Sequence, residues 1–442
     1  MTAIASDASA SGATFETVVR QYAALVPAVV IAYSLVIDPL INLQPVTDSG
    51  LGGADQIEKS TLLAQLLIPV LFVSLAFLST IVYPRRWQAL LPVLVPLVAF
   101  LCFALVSATW SPAPARSFML ATYQSVLCAL LALSIAMSGD PLKIFRNILW
   151  VFAVAMAINL LFVVMRPPGS IGHQGIYPYK NTLGGAAACA LIVALAHIGN
   201  RGTWIRFSAV AVSAIAVIVL VASESKTAIA LAVFAPAAAF GVLYLSPRLN
   251  ANAMLVMAIA GGAIVSASVV AAQIWLFTPD DLLRWMFGDP TFTGRTNIWA
   301  FIYSHITEAP AFGHGYRGFW GIGELSPKLH SEIEFIRATG SSHNGFLDIA
   351  LDTGLVGLLL LTAFIVSTLW SATRASNGRG AAFLFLSIAL FVLGRNMMES
   401  VLLWSSFFDN LLFVLAGLSA AYLASERKTA QPYLDHLGGR TR

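Results

Sequence analysis

The sequence predicts an all-α fold, a polytopic transmembrane helix bundle of about twelve spans, on three observations. Of the 442 residues, 58% are hydrophobic and 10% are charged, whereas soluble domains carry about 25% charged residues. The mean hydropathy is +0.81, so too few polar side chains exist to cover a water-facing surface of this size. The apolar residues also fall in runs of about 20, the length a helix needs to cross the hydrocarbon core.

Read with that window, the spans are 21–43, 60–82, 88–109, 117–138, 144–165, 181–199, 204–222, 226–246, 252–276, 346–370, 379–396 and 402–424. Pro69, Pro92, Pro96 and Arg395 interrupt three of them, 60–82, 88–109 and 379–396. The chain then divides into an N-terminal tail, 1–20, nine helices over 21–275, a polar loop over 276–345, three helices over 346–424 and a tail, 425–442. The first nineteen residues are small and polar with no basic region before Arg20, so the first span is expected to remain as an anchor.

Basic residues set the orientation, because Lys and Arg accumulate in cytoplasmic connections. Arg20, Arg85, Arg86, Lys143, Arg146, Arg201, Arg206, Arg248, Arg374, Arg379, Arg427 and Lys428 all fall on one side of the counted spans. Both termini are therefore expected in the cytoplasm and the 276–345 loop in the periplasm. The connection 44–59, on the loop's side, carries Asp48, Asp55 and Glu58 against Lys59 alone.

Composition excludes several classes. The net charge of +4 is small and dispersed, so nucleic acid is not an expected partner. Cys102, Cys128 and Cys189 lie singly inside apolar runs and read as buried structural thiols. His173, His305, His314, His330 and His343 fall on the loop side without HxxxH or HxxE spacing, so no metal site and no cofactor is expected.

A polar loop of this length is expected to be functional, and it carries helix signals. Asp280 and Asp281 can cap a short turn over 282–287. A second helix starts near Gly294–Arg295 and ends before Pro310, with Ile298, Ile302 and Ile306 on one face. A third is expected from Ser326–Pro327 to Gly340, with Leu329, Ile333 and Ile336 as its apolar face. Such amphipathic helices would cover the mouth of the bundle at the membrane surface.

Four motifs stand in order along the second half. They are Tyr179-Lys180-Asn181-Thr182-Leu183-Gly184, Ser223-Glu224-Ser225-Lys226-Thr227-Ala228, Gly294-Arg295-Thr296-Asn297-Ile298-Trp299 with Gly313-His314-Gly315-Tyr316 after it, and Ser342-His343-Asn344-Gly345-Phe346-Leu347 leading to Asp352-Thr353-Gly354-Leu355-Val356-Gly357. In this series the chain resembles the O-antigen ligase and polysaccharide polymerase superfamily of bacterial membrane proteins. Its length and layout are similar to the exopolysaccharide polymerase branch. The chain departs from the ligase pattern at Lys226, where those proteins carry an arginine; lysine cannot make a bidentate phosphate contact.

The resemblance implies a glycosyltransferase of the lipid-carrier type in the bacterial inner membrane, with its active site facing the periplasm. Its donor would be a glycan on undecaprenyl pyrophosphate, and its acceptor a glycan or glycolipid hydroxyl; membrane lipid would surround it. A departing pyrophosphate needs cations rather than a metal to meet its charge. Arg295 and Lys226 are the expected catalytic cations, with Lys180, Asn181, Tyr316, Asn344 and Arg395 expected to bind substrate. A histidine ordinarily titrates near neutrality, which makes His343 the expected general base for the acceptor hydroxyl. A charge inside a span is usually paired, so Arg395 is expected to pair with Glu399 or with Asp352. Gly354 and Gly357 are expected to admit a neighbouring helix.

The competing reading is a flippase or transporter of lipid-linked oligosaccharide. It would need charged groups along a path through the bilayer, whereas the uncommon polar residues gather at one end of the spans.

Overall fold

The structure, a computed structural model, describes residues 2–43, 62–169, 172–274, 295–375, 379–403 and 407–438. Each expected span has its helix, and the described residues hold no named strand. In chain order the long helices are α1 (Thr2–Ala32), α2 (Leu62–Ile81), α3 (Leu91–Ser107), α4 (Pro114–Ser138), α5 (Pro141–Met165), α6 (Lys180–His197) and α7 (Thr203–Ala222). They continue with α8 (Lys226–Arg248), α9 (Ala253–Ile274), α10 (Arg295–Glu308), α11 (Gly345–Ala372), α12 (Arg379–Asn396) and α13 (Phe408–Gly438). Among the described residues, eight helical stretches are long and apolar enough to cross a membrane. Shorter apolar stretches at Gln65–Ile81, Ala253–Ile264 and Gly380–Asn396 accompany them.

Pro69 and Pro96 sit inside α2 and α3 without ending either, as bundle helices allow. The chain passes from α1 through a π-helical turn, Tyr33–Ile37, where the Tyr33 hydroxyl donates to Asp38 Oδ1 at 3.0 Å. At this bundle's end away from the 295–344 segment, Arg20 and Arg85 share Glu16 at 2.8 and 3.0 Å.

The centre is α13. Of its apolar window, 89% is buried inside the protein, against 28% for the peripheral α7. Small residues set how closely its neighbours approach. In α6, Gly184 through Ala190 are all buried, and α6 packs against α7, α8 and α12. A Cβ at Gly184 would lie 2.8 Å from that of Ser225 and 2.9 Å from that of Ala228, so glycine permits α6 and α8 to cross at their first turns.

The 295–344 segment forms a cap with its own small core. Ile298 and Ile302 of α10 pack with Phe319, Trp320, Ile336 and, from the bundle, Leu351. Burial of these apolar groups, at roughly 25 cal/mol per Å2, fixes the cap to α11. The expected third amphipathic helix is instead two short turns, Pro327–His330 and Glu334–Ala338. Ser331 breaks it: its hydroxyl accepts the Ile333 amide at 3.2 Å, and such local serine bonds compete with helix. Of its expected apolar face only Ile336 is buried, while Leu329 and Ile333 are exposed. The expected turn at 282–287, with Asp280 and Asp281, lies outside the described residues.

The cap enters the bundle at a break in α11. Gly354 has φ 63° and ψ −163°, which interrupts the helix. The freed amides of Leu355 and Val356 donate to the Pro310 and Ala311 carbonyls at 2.9 and 3.1 Å, and the His314 amide donates to Leu351 O at 3.0 Å. A Cβ at Gly354 would lie 2.4 Å from the Ala311 carbonyl, so the glycine admits a loop, not the expected helix. Gly357 makes room for the Thr353 hydroxyl of its own helix. Cys128 and Cys189 are buried as expected, but Cys102 of α3 is exposed.

Candidate active site

Four helices begin around one carboxylate, Glu399, in the turn between α12 and α13. From the start of α6, Asn181 Nδ2 donates to Glu399 Oε1 at 2.8 Å. From the start of α10, Arg295 Nη2 lies 3.2 Å from the same oxygen. Just before α11, His343 Nδ1 lies 3.2 Å from Glu399 Oε2. The start of α8 joins through Ser225, whose hydroxyl donates to Asn181 Oδ1 at 3.0 Å. Lys180 and Lys226 are the first residues of α6 and α8, and Lys180 lies within electrostatic reach of Lys226 and Glu224.

These helix starts matter electrically. The first turn of a helix carries unpaired amides and a partial positive charge. No side chain caps α6 or α8, whereas Asn344 caps α11, its Oδ1 accepting the Phe346 and Leu347 amides at 3.1 and 3.3 Å. The result is a site of positive potential, partly met by Glu399. Burial pushes the Glu399 carboxyl up, but the His343 hydrogen bond and the charges of His343, Arg295 and Arg395 outweigh it and hold it at about 2.

The backbone is strained at two matching points. Glu224 (φ 52°) and His343 (φ 53°) each occupy the left-handed region one residue before a helix cap. That region costs a side-chain-bearing residue about 1–2 kcal/mol, and such strain gathers at functional sites.

Asp348, one turn into α11, holds the chain neighbours of both His343 and Glu399. Its carboxylate accepts the Ser342 amide at 3.2 Å from each oxygen, Trp320 Nε1 at 2.8 Å, and the Ser400 hydroxyl. Ser342 precedes His343, and Ser400 follows Glu399. Trp299 Nε1 adds a bond to the Ser342 carbonyl at 3.0 Å.

Of the residues singled out in the sequence, Lys180, Asn181, Lys226, Arg295 and His343 thus lie at one seam. Others lie elsewhere. Arg395 is buried behind the seam and pairs with Asp409 at 3.3 Å, not with Glu399 or Asp352 as expected. Asp352 instead accepts the Arg317 backbone amide at 3.0 Å, since the inserted cap segment reaches it first. Tyr316, expected to bind sugar, is 1% exposed. Its hydroxyl donates to the Leu403 carbonyl and its amide to the Ser107 hydroxyl, so its ring serves the core; burial raises its phenol pKa well above the usual range. Asn344 spends its side chain on the helix cap.

Sequence reasoning missed Glu399 as the hub. Its only signal was a carboxylate four residues beyond an arginine in an apolar stretch, which suggested the wrong partner. Asp409 gave no signal beyond being an acid at the start of the last span. Among the described residues, no three His, Cys, Asp or Glu side chains gather as they would around a metal ion.

Residues 186–362 match the O-antigen ligase family. That segment contains Lys226, Arg295 and His343, while Lys180, Asn181 and Glu399 lie outside it. The chain is also 28% identical, over 294 residues, to the exopolysaccharide production protein ExoQ of Rhizobium meliloti (strain 1021). The alignment covers 62% of this chain and 64% of that protein, so less than two thirds of the relative's length is spanned. The two matches together support the wider O-antigen ligase and polysaccharide polymerase superfamily for this multi-pass membrane protein.

Proposed function

We propose that this protein transfers a glycan from undecaprenyl pyrophosphate to a sugar hydroxyl at the periplasmic face of the bacterial inner membrane, polymerising or ligating cell-surface polysaccharide. One observation carries the reading: four helix N-termini, bearing or adjoining Lys180, Lys226, Arg295 and His343, converge on one carboxylate. Helix starts with basic side chains form an anion site, and a departing pyrophosphate is an anion.

In the reaction, the acceptor oxygen attacks the anomeric carbon and the bond from that carbon to the phosphate oxygen breaks. The leaving lipid pyrophosphate takes the bonding electrons. Arg295, Lys226 and the uncapped first turns of α6 and α8 meet this growing charge. Lys180 and Asn181 bind the donor beside them. His343 takes the acceptor's proton: with Nδ1–H donating to Glu399, Nε2 carries the lone pair. Glu399 holds the imidazole in that tautomer and balances the charge it gains, as a carboxylate does behind a histidine base. Fixed cations make the scheme independent of a divalent metal, and activity is expected to survive chelation.

Purified protein in liposomes, supplied with lipid-linked glycan units, should release undecaprenyl pyrophosphate and yield longer or transferred glycans. Donor that merely crosses the bilayer unchanged would overturn the reading in favour of a flippase.

A further inference from the structure

We propose that Asp348 is a positioning residue for the transfer reaction, acting through Ser342 and Ser400 to hold His343 against Glu399. The inference rests on the proposed function, in which His343 takes the acceptor's proton. His343 and Glu399 sit on separate turns, one leading into α11 and one following α12, and 56 positions part them in the chain. A single 3.2 Å contact joins the two partly exposed side chains, and such a contact does little by itself to fix two turns against each other. His343 also has a left-handed backbone (φ 53°), a strained state that persists only where the surroundings hold it.

Asp348 supplies that hold from inside the bundle. It is fully buried, as are Ser342 and Ser400, and its hydrogen-bond partners are neutral donors: the Ser342 amide, Trp320 Nε1 of the cap and the Ser400 hydroxyl. Ser342 immediately precedes His343 and Ser400 immediately follows Glu399, so one carboxylate ties the two turns from both sides. Breaking either tie leaves a buried polar group unsatisfied, which makes the arrangement stiff. The turns also meet where no side chain intervenes. A Cβ at Gly345 would lie 2.1 Å from Asn396 Oδ1, and that oxygen accepts the Val401 and Leu402 amides at 3.1 and 2.9 Å. Glycine at 345 thus lets the start of α11 rest on the turn that carries Glu399. What this place asks of Asp348 is acceptor oxygens rather than charge. Asparagine would keep Oδ1 on Ser342 and Trp320 while the Ser400 hydroxyl turns to accept from Nδ2; leucine, similar in size, accepts nothing.

Full-length variants in liposomes, with lipid-linked glycan units as donor, are compared by kcat and donor KM. Asp348→Leu should lower kcat about 100-fold, the scale on which a misplacement of about 1 Å counts, while Asp348→Asn should keep most of it. Ser400→Ala removes only the tie to Glu399 and so guards against misfolding; it should lower kcat about tenfold with donor KM unchanged. A second readout needs no turnover. Nitrogen-15 spectra of labelled histidine are taken at about pH 9, above the ordinary imidazole range, with the His343 signal identified by its loss in His343→Ala. The native protein and Asp348→Asn should carry the His343 proton on Nδ1, and Ser400→Ala should show a mixture of both tautomers. A tautomer still fixed in Ser400→Ala would overturn the positioning role, as would a kcat in Asp348→Asn as low as in Asp348→Leu. Mixed tautomers in Ser400→Ala with kcat unchanged would uphold the tie and strike His343 as the base instead.

Discussion

Two arginine–carboxylate clusters lie side by side, and they are built differently. At the seam, Glu399 is shared by Asn181, Arg295 and His343, which come from three separate helix starts. One helical turn earlier in sequence, Arg395 meets Asp409 inside the bundle, with side chains 8% and 2% exposed. The side chains of Arg295, Glu399 and His343 are 13%, 21% and 33% exposed. The difference separates chemistry from architecture. A carboxylate with several partners and some access can exchange one of them for a substrate. A sealed pair has no exchange to make, and its geometry sets where α12 and α13 meet.

The strongest way to break this contrast is to remove the side chains proposed to act at the seam. His343→Ala and Arg295→Ala should each lower glycan transfer by about 100-fold or more, the scale of a lost general base or charge stabiliser. Their thermal unfolding midpoints should stay near that of the native protein. Near-native turnover in either variant would remove that residue from the mechanism.

The sealed pair should respond in stability. Asp409→Ala strands a buried guanidinium, a loss of about 3–5 kcal/mol, visible as a large fall in unfolding midpoint. Glu399→Gln at the open cluster should abolish turnover with a much smaller fall. The reverse order would overturn the division of roles.

Acid should sharpen the contrast. Glu399 is held at about 2 against an ordinary 4.5, a lowered value. The stability its contacts give is therefore complete above about pH 4.5 and lost as pH falls toward 2. Hydrogen exchange over 395–403 should be steady from neutrality to pH 4.5 and accelerate below it, after correction for intrinsic rates. In Glu399→Gln that added acceleration should vanish.

The smallest effect is expected at the contact between the two clusters and α6. A Cβ at Gly185 would fall 1.2 Å from Arg395 Nη1. Gly185→Ala should move the guanidinium and cost about 1–3 kcal/mol, as overpacking does, with a partial loss of transfer activity. An unchanged unfolding midpoint would show that Arg395 is free to move.

The span order was legible in the sequence because twenty apolar residues have few other destinations. The helix at Arg295–Glu308 was legible from Ile298 and Ile302, whose four-residue spacing marks the buried face. His343 and Arg295 were legible only through their motifs; each residue alone reads as a charge at a helix end. Glu399 was not legible as a hub, because its partners lie 56, 104 and 218 positions away. Distances of that order are set by tertiary packing and leave no local periodicity. Tyr316 misled for a related reason: an aromatic residue in a polar loop suggests a surface, yet the loop carries it into the bundle.

The break at Gly354 bears on how such proteins can be recombined. Because the 310–314 segment completes the backbone hydrogen bonding of α11, the cap is not an accessory laid over a finished bundle. A chimera that takes its cap from a relative inherits a helix with no match for its own interruption. Exchange of specificity between relatives should therefore succeed only when the graft carries α11 through residue 356 together with the cap, so that the broken helix and the strand of chain that mends it travel as one unit of inheritance.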